Sequence, residues 1–233
     1  MTIMVLFLQE ATRALGVVGF FGYTNDNMQL SDLHRKVNHT EAGWHIIVAL
    51  FIAIGLEFVL SNALTFGAKY AVAGLEVTLV LLLTVFPLHA ALKRIFAILL
   101  LALISLANLA SLGMVIAALF GGLHVDGHEL LISSTAIYLT NIIVFGLWYW
   151  ELDNTHQTIP DFLFPQQSSP KGERGWSPTF FDYLYISLTN ATAFSPTDAM
   201  PLTHRAKLLM AIQAVVSLVT VALVVARAVN ILS

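Results

Sequence analysis

The stretch WSPTFFDYLYISLTNATAFSPTDAMP, residues 176–201, decides the fold of this chain. Ser177 suits a helix N-cap and Pro178 suits the first helical position, so a helix is predicted to begin there. The helix ends in polar residues at Thr192, and Pro196 stops any continuation. Because a bilayer crossing takes about 20 apolar residues, this helix is predicted to enter an apolar region without crossing it.

The segment that follows this helix, residues 193–198, reads AFSPTD. Non-helical backbone persists at membrane depth only where it is buried in protein or lines a water-filled cavity. The segment is therefore predicted to return as a re-entrant loop. A helix over 208–226 comes next, and its polar residues Gln213, Ser217 and Thr220 share one face because of their spacing.

The polar stripe Gln213, Ser217 and Thr220 has two interpretations. Polar residues in membrane helices often hydrogen-bond to a neighbouring helix. Beside a re-entrant loop, the same residues suit the lining of an aqueous pore, with Thr189 and Asn190 of the preceding helix as further lining residues. Both interpretations stay open on the sequence.

Composition indicates that the whole chain is a membrane protein. Of its 233 residues, 58% are hydrophobic and 11% are charged, whereas soluble domains carry about 25% charged residues. Helices are predicted, because lipid offers no hydrogen-bond partner to unpaired backbone groups. The apolar runs that are long enough to span a bilayer lie at 44–64, 70–88, 95–120, 130–150 and 208–226.

Three regions follow from this pattern. Residues 1–43 are predicted to be an amphipathic or polar N-terminal segment, in which 1–23 favours an interfacial helix, with a sixth span as the alternative. Residues 44–122 are a three-helix membrane region, and residues 130–233 hold the outer helix, the re-entrant helix and the final helix. The predicted fold class is an all-α integral membrane protein with about five transmembrane helices, or six, plus a re-entrant pore helix.

Residues 130–233 resemble the pore module of the potassium-channel superfamily, in which an outer helix, a re-entrant pore helix, a filter and an inner helix follow one another. The motif DYLYISLTNATAFSPTD is similar to the aromatic pore helix, its Thr-rich end, the filter and the aspartate that follows it. Thr192 falls on the threonine before the filter, and Asp198 on that aspartate. The final helix resembles inner helices of small prokaryotic channels. The resemblance implies a homotetramer that passes several times through the cell (inner) membrane.

The filter-like segment departs from the family pattern. It comprises Thr192, Ala193, Phe194, Ser195, Pro196, Thr197 and Asp198. Family filters, Thr-Val-Gly-Tyr-Gly, point a row of backbone carbonyls at the ion, and their glycines allow backbone angles that other residues avoid. Here Ser195 and Thr197 replace both glycines, and Pro196 fixes its own φ near about −65°. We therefore expect small monovalent cations to pass with weak or no potassium selectivity, favoured by a ring of four Asp198 carboxylates.

Two other functions compete with a cation channel. In a non-conducting membrane sensor or scaffold that keeps the fold, Phe194 and Pro196 would plug the axis. In a proton-coupled carrier, Glu57 and Glu76 would handle the ion, since acids inside predicted spans are functional candidates by default. The alternative for these two acids is that they snorkel toward the interface or pair with Lys69.

Basic residues leave the membrane orientation open. With the N-terminus inside, the inner loops hold nine of the eleven lysines and arginines, which places the re-entrant loop inside. The resemblance implies the reverse.

Catalysis is not indicated by any pattern in the chain. No nucleophile–base pair, phosphate-binding glycine loop or zinc motif stands out, and a net charge of −3 leaves no nucleic-acid footprint. The metal-competent types in HVDGHE, residues 124–129, are more typical of a solvated turn. We therefore expect no enzyme activity, no cofactor and no metal site, and the lipid bilayer as the main surrounding.

Overall fold

The structure, a computed structural model, describes residues 44–65, 69–87, 89–120, 125–153, 160–168, 176–192 and 199–232. All of these residues belong to one compact unit, Val37–Ser233. The predictions for residues 1–43 lie outside the described residues. The same holds for residues 193–198, which make up the filter-like segment after Thr192.

The described chain is mostly helical, as predicted. Its long helices are α1 (Trp44–Val59), α2 (Lys69–Val85), α3 (Ala90–Leu119), α4 (Gly127–Asp153) and α7 (His204–Leu232). Its shorter elements are a 3₁₀ turn (Asn62–Leu64), strand β1 (Phe162–Leu163), α5 (Pro165–Ser168), α6 (Phe180–Ala191) and strand β2 (Met200–Pro201).

Three of the described helices are long and apolar enough to cross a membrane: Ala91–Leu119, Gly127–Asp153 and His204–Arg227. The chain is therefore membrane-embedded by the composition and length of its helices. α1 and α2 have 16 and 17 residues, and at about 1.5 Å per residue both fall short of a hydrocarbon core about 30 Å thick. Three of the five predicted runs therefore correspond to helices that are long and apolar enough to span a membrane, and the number of spans stays a prediction.

α1 ends earlier than the run 44–64 predicts. After Val59 the chain forms the 3₁₀ turn, and Leu60 and Leu64 are buried against Leu112 and Leu130. The backbone N–H of Ser61 donates to Ser133 Oγ at 3.2 Å. The burial of these two leucines and the bond to α4 stabilise the 3₁₀ turn, so α1 does not continue as an α-helix.

α4 is the central helix of the fold. It packs against α1, α3, α6 and α7, and it is the most buried of the three long apolar helices, at 67% against 33% and 17%. On one side an apolar core joins α1, α2, α3 and α4 through Ile54, Val80, Ile104 and Val144. Because α4 contacts both predicted membrane regions, any displacement of this helix affects both.

An aromatic cluster packs against the other side of α4. Phe162 of β1 lies against Tyr149 of α4, with ring centroids 5.3 Å apart, and against Tyr183 of α6 at 6.1 Å. Phe164 meets Tyr183 edge to face at 5.5 Å. Large aromatic rings in this arrangement bury much apolar area and hold α6 against α4.

α6 begins two residues later than predicted. Its N-cap is Thr179 rather than Ser177, and Pro178 precedes the helix. The carboxylate of Asp182 accepts hydrogen bonds from the Thr179 backbone N–H at 2.7 Å and the Thr179 hydroxyl at 2.8 Å. An acid at the third helical position can bond back to the cap residue. Asp182 does this for Thr179, whereas Ser177 has no acid three residues after it.

α6 runs from the end of α4 toward its middle, and the chain then returns to the end of α4. Near its beginning Tyr183 bonds to Asp153 at the end of α4, and one turn later Ser187 bonds to the carbonyl of Ile142 near the middle of α4. α6 has only 12 residues. After α6, strand β2 pairs with β1, and Phe162 lies opposite Pro201. The chain therefore enters and leaves at the same end of α4.

Candidate functional site

Gln213 lies where α4, α6 and α7 meet, and it is fully buried. Its Oε1 accepts hydrogen bonds from the Tyr149 hydroxyl at 2.5 Å and from Asn190 Nδ2 at 2.9 Å. Its Nε2 donates to the carbonyl of Ser187 at 3.0 Å and to Ser187 Oγ at 2.7 Å. We call Tyr149, Ser187, Asn190 and Gln213 the interhelical network. Every hydrogen-bonding group of the Gln213 amide is used in it.

Two further bonds tie the interhelical network to backbone. Ser187 Oγ donates to the carbonyl of Ile142 on α4 at 2.6 Å, and Asn190 Nδ2 donates to the carbonyl of Met210 on α7 at 2.9 Å. The end of α6 is therefore bonded to α4 on one side and to α7 on the other. Buried networks with all partners present fix one arrangement of the helices around them.

The polar stripe of α7 faces the other helices of the chain. Gln213, Ser217 and Thr220 are all fully buried, which confirms that they share one face. Asn141 of α4 donates to Ser217 Oγ at 2.7 Å, and the Thr220 hydroxyl donates to the carbonyl of Val216 in its own helix at 2.7 Å. For Gln213 and Ser217 these are contacts between helices, as one of the two interpretations predicts. Pore lining by the stripe stays a prediction that these contacts do not support.

The other predicted lining residues lie at the end of α6. Asn190 belongs to the interhelical network. The Thr189 hydroxyl donates to the carbonyl of Tyr185 at 2.9 Å, and the exposed Thr192 hydroxyl donates to the carbonyl of Leu188 at 3.0 Å. Such bonds to the preceding turn leave each oxygen free as an acceptor. Of the filter-like segment, only Thr192 is among the described residues.

A second polar group, the end cluster, consists of Asp153, Asp161, Tyr183 and Thr203. The Asp153 carboxylate accepts from the Tyr183 hydroxyl at 2.5 Å and from the backbone N–H of Asp161 at 2.6 Å. The Thr203 hydroxyl donates to the Asp161 carboxylate. Thr203 Oγ1 also accepts from the backbone N–H of Ala206 at 3.2 Å, so it caps α7. The end cluster joins the ends of α4, β1, α6 and α7.

Removing the Tyr183 hydroxyl is expected to loosen α6. Tyr183→Phe should lower the free energy of unfolding by about 1.5 kcal/mol, since a buried bond to a carboxylate is lost while the ring stays packed. Tryptophan fluorescence during denaturant titration in detergent measures the change. Tyr138→Phe on α4 is the matched control and should stay near wild type. Equal losses in both variants would contradict a specific role for the end cluster.

α6 lies so close to α4 that the contact requires a glycine. A Cβ added to Gly146 would lie 3.1 Å from Leu184 Cα and 3.3 Å from Leu184 Cδ1. Helices that approach this closely through a small residue gain packing between their backbones. Gly146 therefore sets the distance between α4 and the middle of α6.

The outward faces of α6 and α7 are apolar. On α7 the exposed large residues are Leu208, Ile212, Val215, Leu218, Val221, Val225 and Val229, and on α6 they are Phe181, Tyr185 and Leu188. Lipid or another protein surface suits such faces, whereas water does not.

Glu57 on α1 and Glu76 on α2 are both buried, with 7% and 0% of their surface exposed. The protein covers both carboxyl groups, so neither extends to solvent. The two groups are close enough to interact through their side chains and their charges. The side chain of Lys69, the predicted alternative partner, lies outside the described residues.

Several residues of the site were not predicted from the sequence. Trp148, Tyr149 and Trp150 are typical of an aromatic belt at a membrane interface, yet Tyr149 is fully buried in the interhelical network. The spacing of Asn141, Phe145 and Tyr149 at i, i+4 and i+8 is the one signal that could have placed them on a shared buried face. Ser187 carried no comparable signal.

Metal-ligating types do not cluster in the parts of the chain that the structure describes, where no three of His, Cys, Asp and Glu lie together. In the HVDGHE loop, Asp126 accepts from the backbone N–H of His128 at 3.1 Å, and Glu129 accepts from the Ser61 hydroxyl at 3.1 Å. These two acids therefore bond to neighbouring protein groups.

Comparison with family models, curated proteins and solved structures finds no match for this chain.

Proposed function

We propose that the chain is a multi-pass membrane protein that assembles as a channel-like homotetramer and passes small monovalent cations with little selectivity for potassium. The observation that carries this proposal is the path of α6. A capped helix of 12 residues runs from the end of α4 to its middle, and the chain then returns to pair with β1. Such a path supports the interpretation of α6 as a re-entrant pore helix.

The interhelical network gives such a helix its support. A pore helix that ends at mid-depth leaves its last carbonyls and the next segment to be held by neighbouring groups. Here Ser187 and Asn190 bond to α4, to α7 and to Gln213. We therefore assign Gln213 to positioning the pore helix. Residues 193–198 would then line the axis.

Fourfold assembly would cover the outward apolar faces of α6 and α7. In the protomer, one cavity of about 460 Å³ lies among α1, α2, α3 and α4 and is lined mainly by residues such as Leu50, Val80, Leu100 and Leu147. None of the predicted pore residues lines it. A conducting path would therefore run between protomers, where four copies of α6 converge on one axis.

Ion flux tests conduction directly. The purified chain, reconstituted in liposomes, is expected to pass both K⁺ and Na⁺ at similar rates. Flux of neither ion at any tested pH or voltage would remove conduction from the proposal. Strong preference for K⁺ would contradict the predicted effect of Ser195, Pro196 and Thr197 on the carbonyl ladder.

Neutralising Asp198 is expected to lower cation flux. Four carboxylates at one mouth raise the local cation concentration, so Asp198→Asn should reduce K⁺ and Na⁺ flux about tenfold at low salt, and less at high salt. Asp126→Asn, an exposed acid at the start of α4, is the control and should conduct as wild type does. Unchanged flux in Asp198→Asn would take the acidic ring out of the mechanism.

A second candidate, a non-conducting membrane sensor or scaffold with the same fold, is favoured by a different observation. The polar stripe of α7 is turned into the protomer, and the outward face of α7 is apolar. An axis bordered by such a face would exclude water and ions by dewetting. Phe194→Gly separates the candidates: flux that appears only in this variant identifies Phe194 as a plug, while wild-type flux favours the channel.

A further inference from the structure

We propose that Glu57 and Glu76, the acid pair, form an exchangeable proton-binding site inside the helical region 44–153. The proposal does not depend on cation conduction. It rests on the burial of the two side chains, on the polar atoms around them that lack partners, and on the helices that enclose them.

The acid pair is enclosed by protein and poor in hydrogen bonds. Glu76 is fully buried, and neither of its carboxyl oxygens has a hydrogen-bond partner among the described residues; the same holds for Glu57 Oε1. An unpaired buried carboxylate costs several kcal/mol, on the order of 5 or more, before any repulsion is counted. Two adjacent carboxylates repel each other in such a site, which favours a proton on at least one of them.

A fourth unpaired oxygen lies at the same level on α4. Ser61 follows Glu57 by one turn and bonds to Ser133, while Leu50 and Leu147 line one cavity, so α1 and α4 run antiparallel. This register places Glu57 beside the turn of α4 that holds Thr140. The Thr140 hydroxyl is 1% exposed and has no partner in the described part of the chain.

Polar but uncharged side chains are buried on α3, which packs against α2 and α4. On α3, Asn108 is buried and donates to the carbonyl of Ile137 on α4 at 3.2 Å, and Ser111 is buried beside it in sequence. Among the described residues, the only charged group that acts on either carboxyl is the other carboxyl. Glu129 is exposed and bonds to Ser61, one turn after Glu57. None of the residues that the structure describes neutralises a second negative charge.

These observations point to a proton as the ligand. A proton on one carboxyl supplies the donor that the unpaired oxygens lack, and the Thr140 hydroxyl can donate to the other. When the proton passes to water, two carboxylates remain and repel each other across α1 and α2. Such a pair titrates as a unit, and its proton count changes with the pH of the compartment it communicates with.

Infrared spectroscopy of the full chain in phosphatidylcholine liposomes tests the proposal. At neutral pH the wild type is expected to show the carbonyl-stretch band of a protonated carboxyl group, and the band should shift when D₂O replaces water. The double variant Glu57→Gln/Glu76→Gln should lack the band and still fold, because glutamine has the shape of a protonated glutamate. Glu129→Gln is the matched control and should keep the band.

Four results would overturn the proposal: no such band in the wild type, a band that survives in the double variant, a band lost in the Glu129→Gln control, or a band that does not shift in D₂O while the protein stays folded. A band abolished by sodium chloride, but not by choline chloride, at constant pH assigns the site to a metal cation instead. Because none of these readouts measures flux, their failure is distinguishable from failure of the channel proposal.

Discussion

Gln213→Leu is expected to destabilise the chain by about 2 to 3 kcal/mol, although leucine is apolar and similar in size. The variant removes the acceptor of the Tyr149 hydroxyl and one acceptor of Asn190, and it removes both bonds to Ser187. A buried polar group left without a partner costs about 1 to 3 kcal/mol, and the average per bond in membrane proteins lies near the lower end. Denaturant titration followed by tryptophan fluorescence measures the loss.

The matched control is Gln166→Leu, the same change at an exposed position of α5. It should stay within about 0.5 kcal/mol of wild type, as surface substitutions usually do. If Gln213→Leu is as stable as this control, the interhelical network does not hold α6, and our assignment of Gln213 to positioning is wrong. The same variant should also lose cation flux, since the filter-like segment would no longer be positioned.

Gly146→Leu is expected to cost about 3 kcal/mol by forcing α6 away from α4. The added Cβ alone lies 3.1 Å from Leu184 Cα, and a backbone atom cannot turn aside as a side chain can. Because Ser187 and Tyr183 bond to α4 on either side of this contact, the displacement strains both bonds. Thermal unfolding in detergent measures the loss, and slower or absent assembly should accompany it.

Gly113→Leu on α3 is the control, and its expected effect on stability has the opposite sign. Gly113 is exposed, and a Cβ added there meets no atom within 4 Å. Leucine favours the helix over glycine by up to about 0.8 kcal/mol, so this variant should be slightly more stable than wild type. Equal effects at the two glycines would mean that the close approach of α6 to α4 is not needed.

Much of the helical architecture could be predicted because it depends on local signals. The apolar runs predict α3, α4 and α7 within several residues, and the prolines after Thr192 predict the end of α6. The end of α1 could not be predicted, because it depends on the burial of Leu60 and Leu64 against residues of α3 and α4 that are distant in sequence. The start of α6 differed because Asp182 reaches back to Thr179.

The site could be predicted only in part. The spacing of Gln213, Ser217 and Thr220 shows that they share a face, but spacing does not show which surface that face meets. Their partners lie on other helices, 76 residues away in the case of Asn141 and Ser217. The burial of Tyr149 likewise depends on the packing of α6 and β1. A run of aromatic residues in the sequence does not indicate that packing.

α4 links the two parts of the molecule. It carries Thr140 on the turn level with Glu57 and, two and nine residues later, Ile142 and Tyr149, which bond to Ser187 and Asn190 of α6. A shift of α1 and α2 on loss of the proton would therefore reach the pore module through one helix. Flux that changes with pH in the wild type, and not in Glu57→Gln/Glu76→Gln, is the expected sign of that coupling.

The number of protomers in the assembly tests the central claim most directly. Native mass spectrometry of the full chain, released from nanodiscs without harsh detergent, should give four times the mass of the 25.5 kDa chain. A tetramer would place four copies of α6 around one axis, as a channel-like pore module requires. A chain that stays monomeric under conditions in which it remains folded would contradict the claim.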